Sequence, residues 1–332
     1  VAGFPSMNHR PFARAGFDAS EVGLGCWQLG ADWAELSEPD CEAVIAAALD
    51  SGVNFFDTAD VYGAGRSEAI LGRVLAGRDD VFVATKFGRL EGYPDDYSYE
   101  LLKRCAENSR ERLQVEALDL VQLHCVPTAW LAENRIWDWL RQLRQDGVIR
   151  EFGASVESMD EAQLCLRQEG LCSLQVIFNL FRQKPRDVLF EAAKQRDVGI
   201  IVRLPLASGL LGGKMTTESV FHEGDHRHYN KDGAAFNVGE TFAGLPFEKG
   251  LELIDNLRVR LDGWDHGTFA QWAMRWILDH EAVSVVIPGA TRPDQIKDNA
   301  ASSDLPPLDS STHEELKVWY EACAAAHVRG PY

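Results

Sequence analysis

The stretch Val53–Gly63, VNFFDTADVYG, carries a short and mostly apolar run up to an acid and then breaks into a polar loop. Helix-period sequence follows over Ser67–Leu75, SEAILGRVL. An apolar run without strict alternation reads as a strand buried on both faces, and the periodic stretch as the helix that crosses back over it. The same unit recurs on either side. Apolar runs lie at Val22–Gly25, Val53–Asp57, Val81–Lys86, Leu118–His124, Ile149–Ala154, Leu174–Phe178, Gly199–Leu204 and Val283–Ile287. Helix-period segments follow at Cys41–Ser51, Ser67–Leu75, Tyr99–Leu113, Leu131–Asp146, Met159–Arg167, Arg186–Arg196, Phe269–Asp279 and Pro293–Ala301. Ser37-Glu38-Pro39-Asp40 before the first helix and Ser158 before the fifth are helix-start signals. Eight strand–helix pairs in about 300 residues predict an α/β fold of the (β/α)8 TIM-barrel type. A doubly wound sheet of six strands would leave two strands unplaced.

Three segments fall outside this rhythm. Residues 9–21 read as an N-terminal β-hairpin turning at Ala15-Gly16 and closing the bottom of the barrel. From Ala207 to about Phe247 the chain is rich in Gly, His and Asp and lacks periodicity. This long loop after the seventh strand is expected to lie over the C-terminal mouth as a lid. Thr312–Ala326 reads as one more helix packed outside. Residues 8–332 are therefore expected to form one domain, with 1–7 a tail.

The chain has 332 residues, 33 Lys+Arg against 51 Asp+Glu, and a formal net charge of −18. That balance argues against nucleic-acid and anionic-membrane partners, which need clustered bases. No apolar run reaches membrane-spanning length, and the N-terminus lacks the pattern of a secretory signal. The seven cysteines show no C-x-x-C spacing, as expected for reduced thiols in a cytoplasmic protein without a zinc site. His222, His226 and His228 in the long loop could be drawn as a metal site, but nothing fixes their geometry, and a solvated loop is expected.

In a barrel of this kind the C-terminal ends of the strands carry function. Asp57 ends the second strand and Tyr62 follows it; Lys86 ends the third and His124 the fourth. A carboxylate, a phenol, an ammonium and an imidazole thus meet on one rim. An ammonium aimed into a barrel mouth needs a counter-charge. A phenol of ordinary pKa about 10 is a weak acid for protonating an alkoxide, and a nearby lysine is expected to lower that value.

These residues carry a family likeness. Phe56–Gly63 with Ser67-Glu68 and Leu71-Gly72 resembles the central motif of the aldo-keto reductase superfamily, closest to the bacterial branch related to potassium-channel β subunits. Ala84-Thr85-Lys86, Leu118–His124, Gly153-Ala154-Ser155, Leu174-Gln175, Pro205–Lys214 and Ile287–Ala290 with Asn299 extend the likeness in the right order. The resemblance implies a catalytic tetrad of Asp57, Tyr62, Lys86 and His124, with Tyr62 the general acid. It implies NADP(H), or alternatively NAD(H), lying across the mouth, and carbonyl reduction of a small aldehyde or ketone. Ser155 and Gln175 would then hold the carboxamide. Leu204, Pro205, Leu206, Ser208, Lys214 and Arg227 would flank the pyrophosphate. Gly289, Thr291, Gln295, Asp298 and Asn299 would hold the adenosine, with Arg292 and Thr291 at the 2′-phosphate. Arg203 stands where the family often places an aromatic against the nicotinamide, and its charge would favour the reduced ring. Val156 replaces the usual Asn after Ser155, and Gln295 an often-present Arg. Trp27, Trp33, Tyr93 (with Tyr97) and Trp130 are candidates to line the substrate pocket. A sugar dehydrogenase running the reverse reaction and a non-catalytic NADPH-sensing subunit are the alternatives. The sensing branch carries Asn where this chain has His124, so the complete tetrad stands against it. Substrate and oligomeric state stay open.

Overall fold

The computed structural model describes residues 7–30, 36–260 and 264–332. An antiparallel hairpin comes first, β1 (His9–Pro11) with β2 (Asp18–Ser20), turning through Gly16 at φ 65°. Eight parallel strands follow: β3 (Leu24–Gly25), β4 (Phe55–Asp57), β5 (Phe82–Phe87), β6 (Leu118–His124), β7 (Ile149–Ser155), β8 (Ser173–Ile177), β9 (Gly199–Arg203) and β10 (Val283–Val286). They pair in chain order, and parallel bridges Val22–Val286 and Gly25–Gly289 close the seam between first and last. This is the (β/α)8 barrel, and the strand boundaries fall within three residues of the apolar runs.

The helices are α1 (Glu38–Asp50), α2 (Arg66–Val74), α3 (Tyr99–Leu113), α4 (Thr128–Ala132), α5 (Asn134–Gln145), α6 (Met159–Leu166), α7 (Lys184–Val188), α8 (Phe190–Gln195), α9 (His226–Tyr229), α10 (Phe247–Arg260), α11 (Phe269–Leu278), α12 (Pro293–Ala300) and α13 (Ser310–Trp319). Their starts are sequence-encoded: Ser37 accepts the amide of Asp40, and Ser158 forms a capping box with Glu161. Helix α5 buries Ile136, Trp137, Leu140 and Leu143, one stripe at helical spacing. Among the described residues no helix is long and apolar enough to cross a membrane.

Two cores result. One lies between the strands and the helices. The other fills the barrel floor with Phe12, Phe55, Phe82, Leu120, Ile201 and Val285. Phe12, delivered by the hairpin, is fully buried with its ring 5.3 Å from Phe55 and 5.5 Å from Phe82. The hairpin is thus a plug, and the open end of the barrel is the other one.

Two expectations need correction. The segment after β9 is not structureless: it contains 3-10 turns at Ala207–Gly212, Val238–Glu240 and Phe242–Gly244 besides α9. Nor does periodicity resume only at Phe269, because α10 buries Gly250, Leu253, Ile254 and Leu257.

Candidate active site

Strand register brings the polar strand ends to one level. Asp57 pairs with Ala84, Lys86 with Gln122, His124 with Ser155, and Ser155 with Gln175. The Lys86 ammonium is fully buried, donating to a carboxylate oxygen of Asp57, to the Thr58 carbonyl at 2.7 Å and toward the Tyr62 hydroxyl at 3.4 Å. Asp57 accepts further hydrogen bonds from Gln175 at 2.7 Å and Gln122 at 3.2 Å. The His124 ring stands edge-on to Tyr62, with centroids 5.9 Å apart. The four residues foreseen from the strand ends therefore meet.

Their electrostatics are those of a dry pocket. Burial pushes the Lys86 pKa down, but Asp57 and then Tyr62 more than offset it, so the ammonium is held charged above the ordinary lysine value. Burial, with Lys86, Arg89 and Arg203 adding to it, holds His124 well below the usual imidazole range and hence neutral. The Tyr62 phenol differs from expectation. Burial pushes it up to about 12, and the opposing effect of Lys86 is smaller. Lys86 thus offsets only part of the effect of burial on the Tyr62 phenol.

A cavity of about 410 Å³ runs from Trp27, Asp57, Tyr62 and Gln175 past Arg203–Leu206 and Ser208 to Gly289, Thr291, Gln295, Asp298 and Asn299 at the start of α12. Lys214 and Arg227 also face it. Lys214 has no ion-pair partner among the described residues, whereas Arg227 folds back on Asp225 at 2.6 Å. Gly289 is required by close approach: a Cβ there would lie 2.1 Å from Gln28. Gln28, absent from the sequence reading, is buried on this wall, its Oε1 without a hydrogen-bond partner among the described residues. The Gln28 amide oxygen is an acceptor for a sugar or base N–H or O–H, and the Lys214 ammonium a partner for phosphate; with the polar groups of Thr291–Asn299 they fit a dinucleotide.

Other sequence candidates fare differently. Ser155 is buried with its hydroxyl 3.8 Å from the Cys125 sulfur, and the cavity wall does not include it. Arg292 turns away onto Asp294 at 3.1 Å, both side chains exposed, and also leaves the wall. Arg203 does not stand as a lone cation: Glu240 pairs with it and the Val156 carbonyl accepts from it at 2.9 Å. Its charge is thus largely neutralised, which removes the electrostatic argument for a preference toward reduced cofactor. Glu240 comes from the segment after β9, where no pattern marked it.

Among the aromatic candidates, Trp27 stacks 6.0 Å from Tyr62 and contacts Phe236 of the same segment. Trp33 lies outside the described residues. Tyr93 is 47% exposed on the outer loop. Trp130 packs edge-on against Tyr97 and under Arg135, away from the cavity. His226 is not solvated: it is fully buried, 5.2 Å from Trp27 and 3.3 Å from the Ser208 hydroxyl, while His222 and His228 are exposed. Among the described residues Cys125, Glu157 and Glu240 bring metal-ligand atoms within 4.8 Å of one another, but each carboxylate is already paired with an arginine.

Residues 21–321 match the model of the aldo/keto reductase family. The chain belongs to that family. It is 30% identical over 304 residues to aldo-keto reductase YhdN of Bacillus subtilis, covering 88% of this chain and 87% of the relative. Identity to aldo-keto reductase yakc [NADP(+)] of Schizosaccharomyces pombe is 27%, over 93% of this chain and 90% of that one. Among solved structures it resembles aldo-keto reductase AKR11C1 of Bacillus halodurans (holo form), with TM-score 0.77, 25% identity and 98% of both chains covered. This aldo/keto reductase is an oxidoreductase by family, with its polar strand ends gathered at the mouth of the barrel.

Proposed function

We propose that this aldo/keto reductase is a cytoplasmic NADPH-dependent enzyme that reduces an aldehyde or ketone to an alcohol. The observation that carries the reading is the Lys86 ammonium, held by Asp57 and the Thr58 carbonyl and within 3.4 Å of the Tyr62 hydroxyl. NADPH, when bound, supplies the hydride. His124, neutral in its dry setting, donates a hydrogen bond to the substrate carbonyl and orients it. Tyr62 delivers the proton to the oxygen as charge develops there. A nascent alkoxide strengthens that proton transfer, and Lys86 stabilises the phenolate left behind. Asp57 keeps Lys86 charged and fixed. Gln175, Leu204–Leu206, Ser208, Lys214, Arg227 and Gly289–Asn299 hold the dinucleotide. The NADP(+) in the name of the Schizosaccharomyces pombe relative supports NADP(H) over NAD(H). The Arg292–Asp294 pair is exposed and screened by water, so Arg292 can exchange it for a 2′-phosphate.

The test is a turnover assay on aldehydes, ketones and aldoses with both cofactors. Tyr62→Phe is expected to lower kcat by about a hundredfold or more with NADPH affinity nearly unchanged. Unchanged turnover sinks the assignment. Oxidation of aldoses alone would mean a sugar dehydrogenase, and tight NADPH binding without turnover would mean a sensing subunit.

A further inference from the structure

Arg182, in the loop after β8, is almost fully buried and has no ion-pair partner among the described residues. What it has instead is the last stretch of the chain. Its Nη2 donates to the Pro331 carbonyl at 2.5 Å, and its guanidinium lies 4.2 Å from the centre of the Tyr332 ring. Tyr332 is itself fixed: its hydroxyl accepts from the Lys184 amide at 2.8 Å and from the Tyr320 hydroxyl at 2.7 Å. A buried cation on a ring face and a carbonyl is stabilised by both, though less than by a carboxylate.

The same guanidinium lies directly against the segment that covers the barrel mouth. A Cβ on Gly239 would fall 2.3 Å from Arg182 Nη1, so the Gly239 backbone rests on Arg182 with no room for a side chain. Gly239 precedes Glu240, the residue that pairs with Arg203 on the cavity wall and whose carbonyl accepts from Ser208 at 3.2 Å. Burial lowers the Arg182 pKa to about 10, with Tyr332 and Glu240 acting against that fall. The remainder of the strap grips the segment from outside. Arg329 donates through Nε to the Gly244 carbonyl at 2.8 Å, through Nη2 to the Lys231 carbonyl at 2.9 Å, and pairs with Asp232 at 2.9 Å.

We infer that Arg182 and the strap Arg329–Tyr332 act as positioning residues for the cofactor cleft: they fix the segment bearing Glu240, and through it the Arg203 wall. None of them touches the cavity. Their effect is therefore on retention of the dinucleotide and not on the proton and hydride transfer. The inference rests on the cofactor reading above for its functional half.

The test compares Tyr332→Ala, Tyr332→Phe and deletion of residues 329–332 by stopped-flow NADPH dissociation, single-turnover reduction at saturating NADPH, and trypsin cleavage at Lys231. Tyr332→Ala and the deletion are expected to raise the NADPH dissociation rate and KM for NADPH by about tenfold, and to speed cleavage at Lys231. Single-turnover rates stay near wild type, and Tyr332→Phe, which keeps the ring face, recovers most of the loss. Arg182→Lys should fall between, which covers the case in which the alanine variant fails to fold. An NADPH dissociation rate and a Lys231 cleavage rate that both match wild type in the deletion overturn the inference. Faster Lys231 cleavage in a protein that binds no NADPH at all would overturn the proposed function while upholding the strap.

Discussion

The Asp57–Lys86 pair is an ion pair with almost no water around it, the side chains being 4% and 1% exposed. Removing one partner strands a buried charge. Asp57→Asn is expected to cost about 3–5 kcal/mol, read from urea unfolding. Asp57→Leu combined with Lys86→Met should cost less than either single change, because no charge is left alone. Asp60, three residues on, is buried, its Oδ1 without a hydrogen-bond partner among the described residues, and burial followed by the neighbouring Glu68 raises its pKa to about 7. The unfolded chain loses this proton near the ordinary value and the folded one only near 7, so stability falls as pH rises between the two. Asp60→Asn should therefore raise the melting temperature at pH 8 and have little effect at pH 4; an equal gain at both would contradict the assignment. At this scale the cluster of Asp57, Tyr62, Lys86 and His124 was legible because Asp57, Lys86 and His124 are polar groups closing apolar runs. Gln28 was not, since its role is set by Gly289, which lies 261 positions away in the chain. Arg203 was read as a lone cation because its partner, Glu240, sits in a stretch without period.

Elements show the same division. The strands announced themselves through uninterrupted burial: every residue of β5, β8, β9 and β10 is buried. Helix α10 carried a readable stripe, Gly250, Leu253, Ile254 and Leu257, but it follows an irregular segment ending in Leu245-Pro246, with no Ser, Thr, Asp or Asn there to mark the start. Tyr93 and Trp130 do not line the 410 Å³ cavity, because a loop's course depends on contacts such as Tyr97 with Trp130 that spacing does not reveal. The N-terminal hairpin was readable from its turn, and its contribution is local. Phe12→Ala opens the barrel floor and is expected to cost about 3–5 kcal/mol in unfolding, with kcat near wild type because the active end is the opposite one. A large loss of kcat without loss of stability would show that the floor communicates with the mouth.

For the whole molecule, the net charge of −18 sets a condition on binding a polyanion. Attraction must come from placed groups, and Lys214 is a cation on the cavity wall without an ion-pair partner among the described residues. NADPH affinity is expected to weaken only about a few-fold between low salt and 0.15 M, and Lys214→Ala to flatten that slope. A steep dependence retained in the variant would point to a broad positive field that the composition does not supply. The seam that closes the barrel has a further consequence. Bridges Val22–Val286 and Gly25–Gly289 join residues 264 positions apart, and the cavity opens over that join. During synthesis, Asp57, Tyr62, Lys86 and His124 leave the ribosome early, while β3 and β9 remain bare sheet edges until β10 emerges. Such edges invite pairing with other chains. The dinucleotide cleft is thus among the last features to exist, and until β10 pairs the growing sheet carries two open edges.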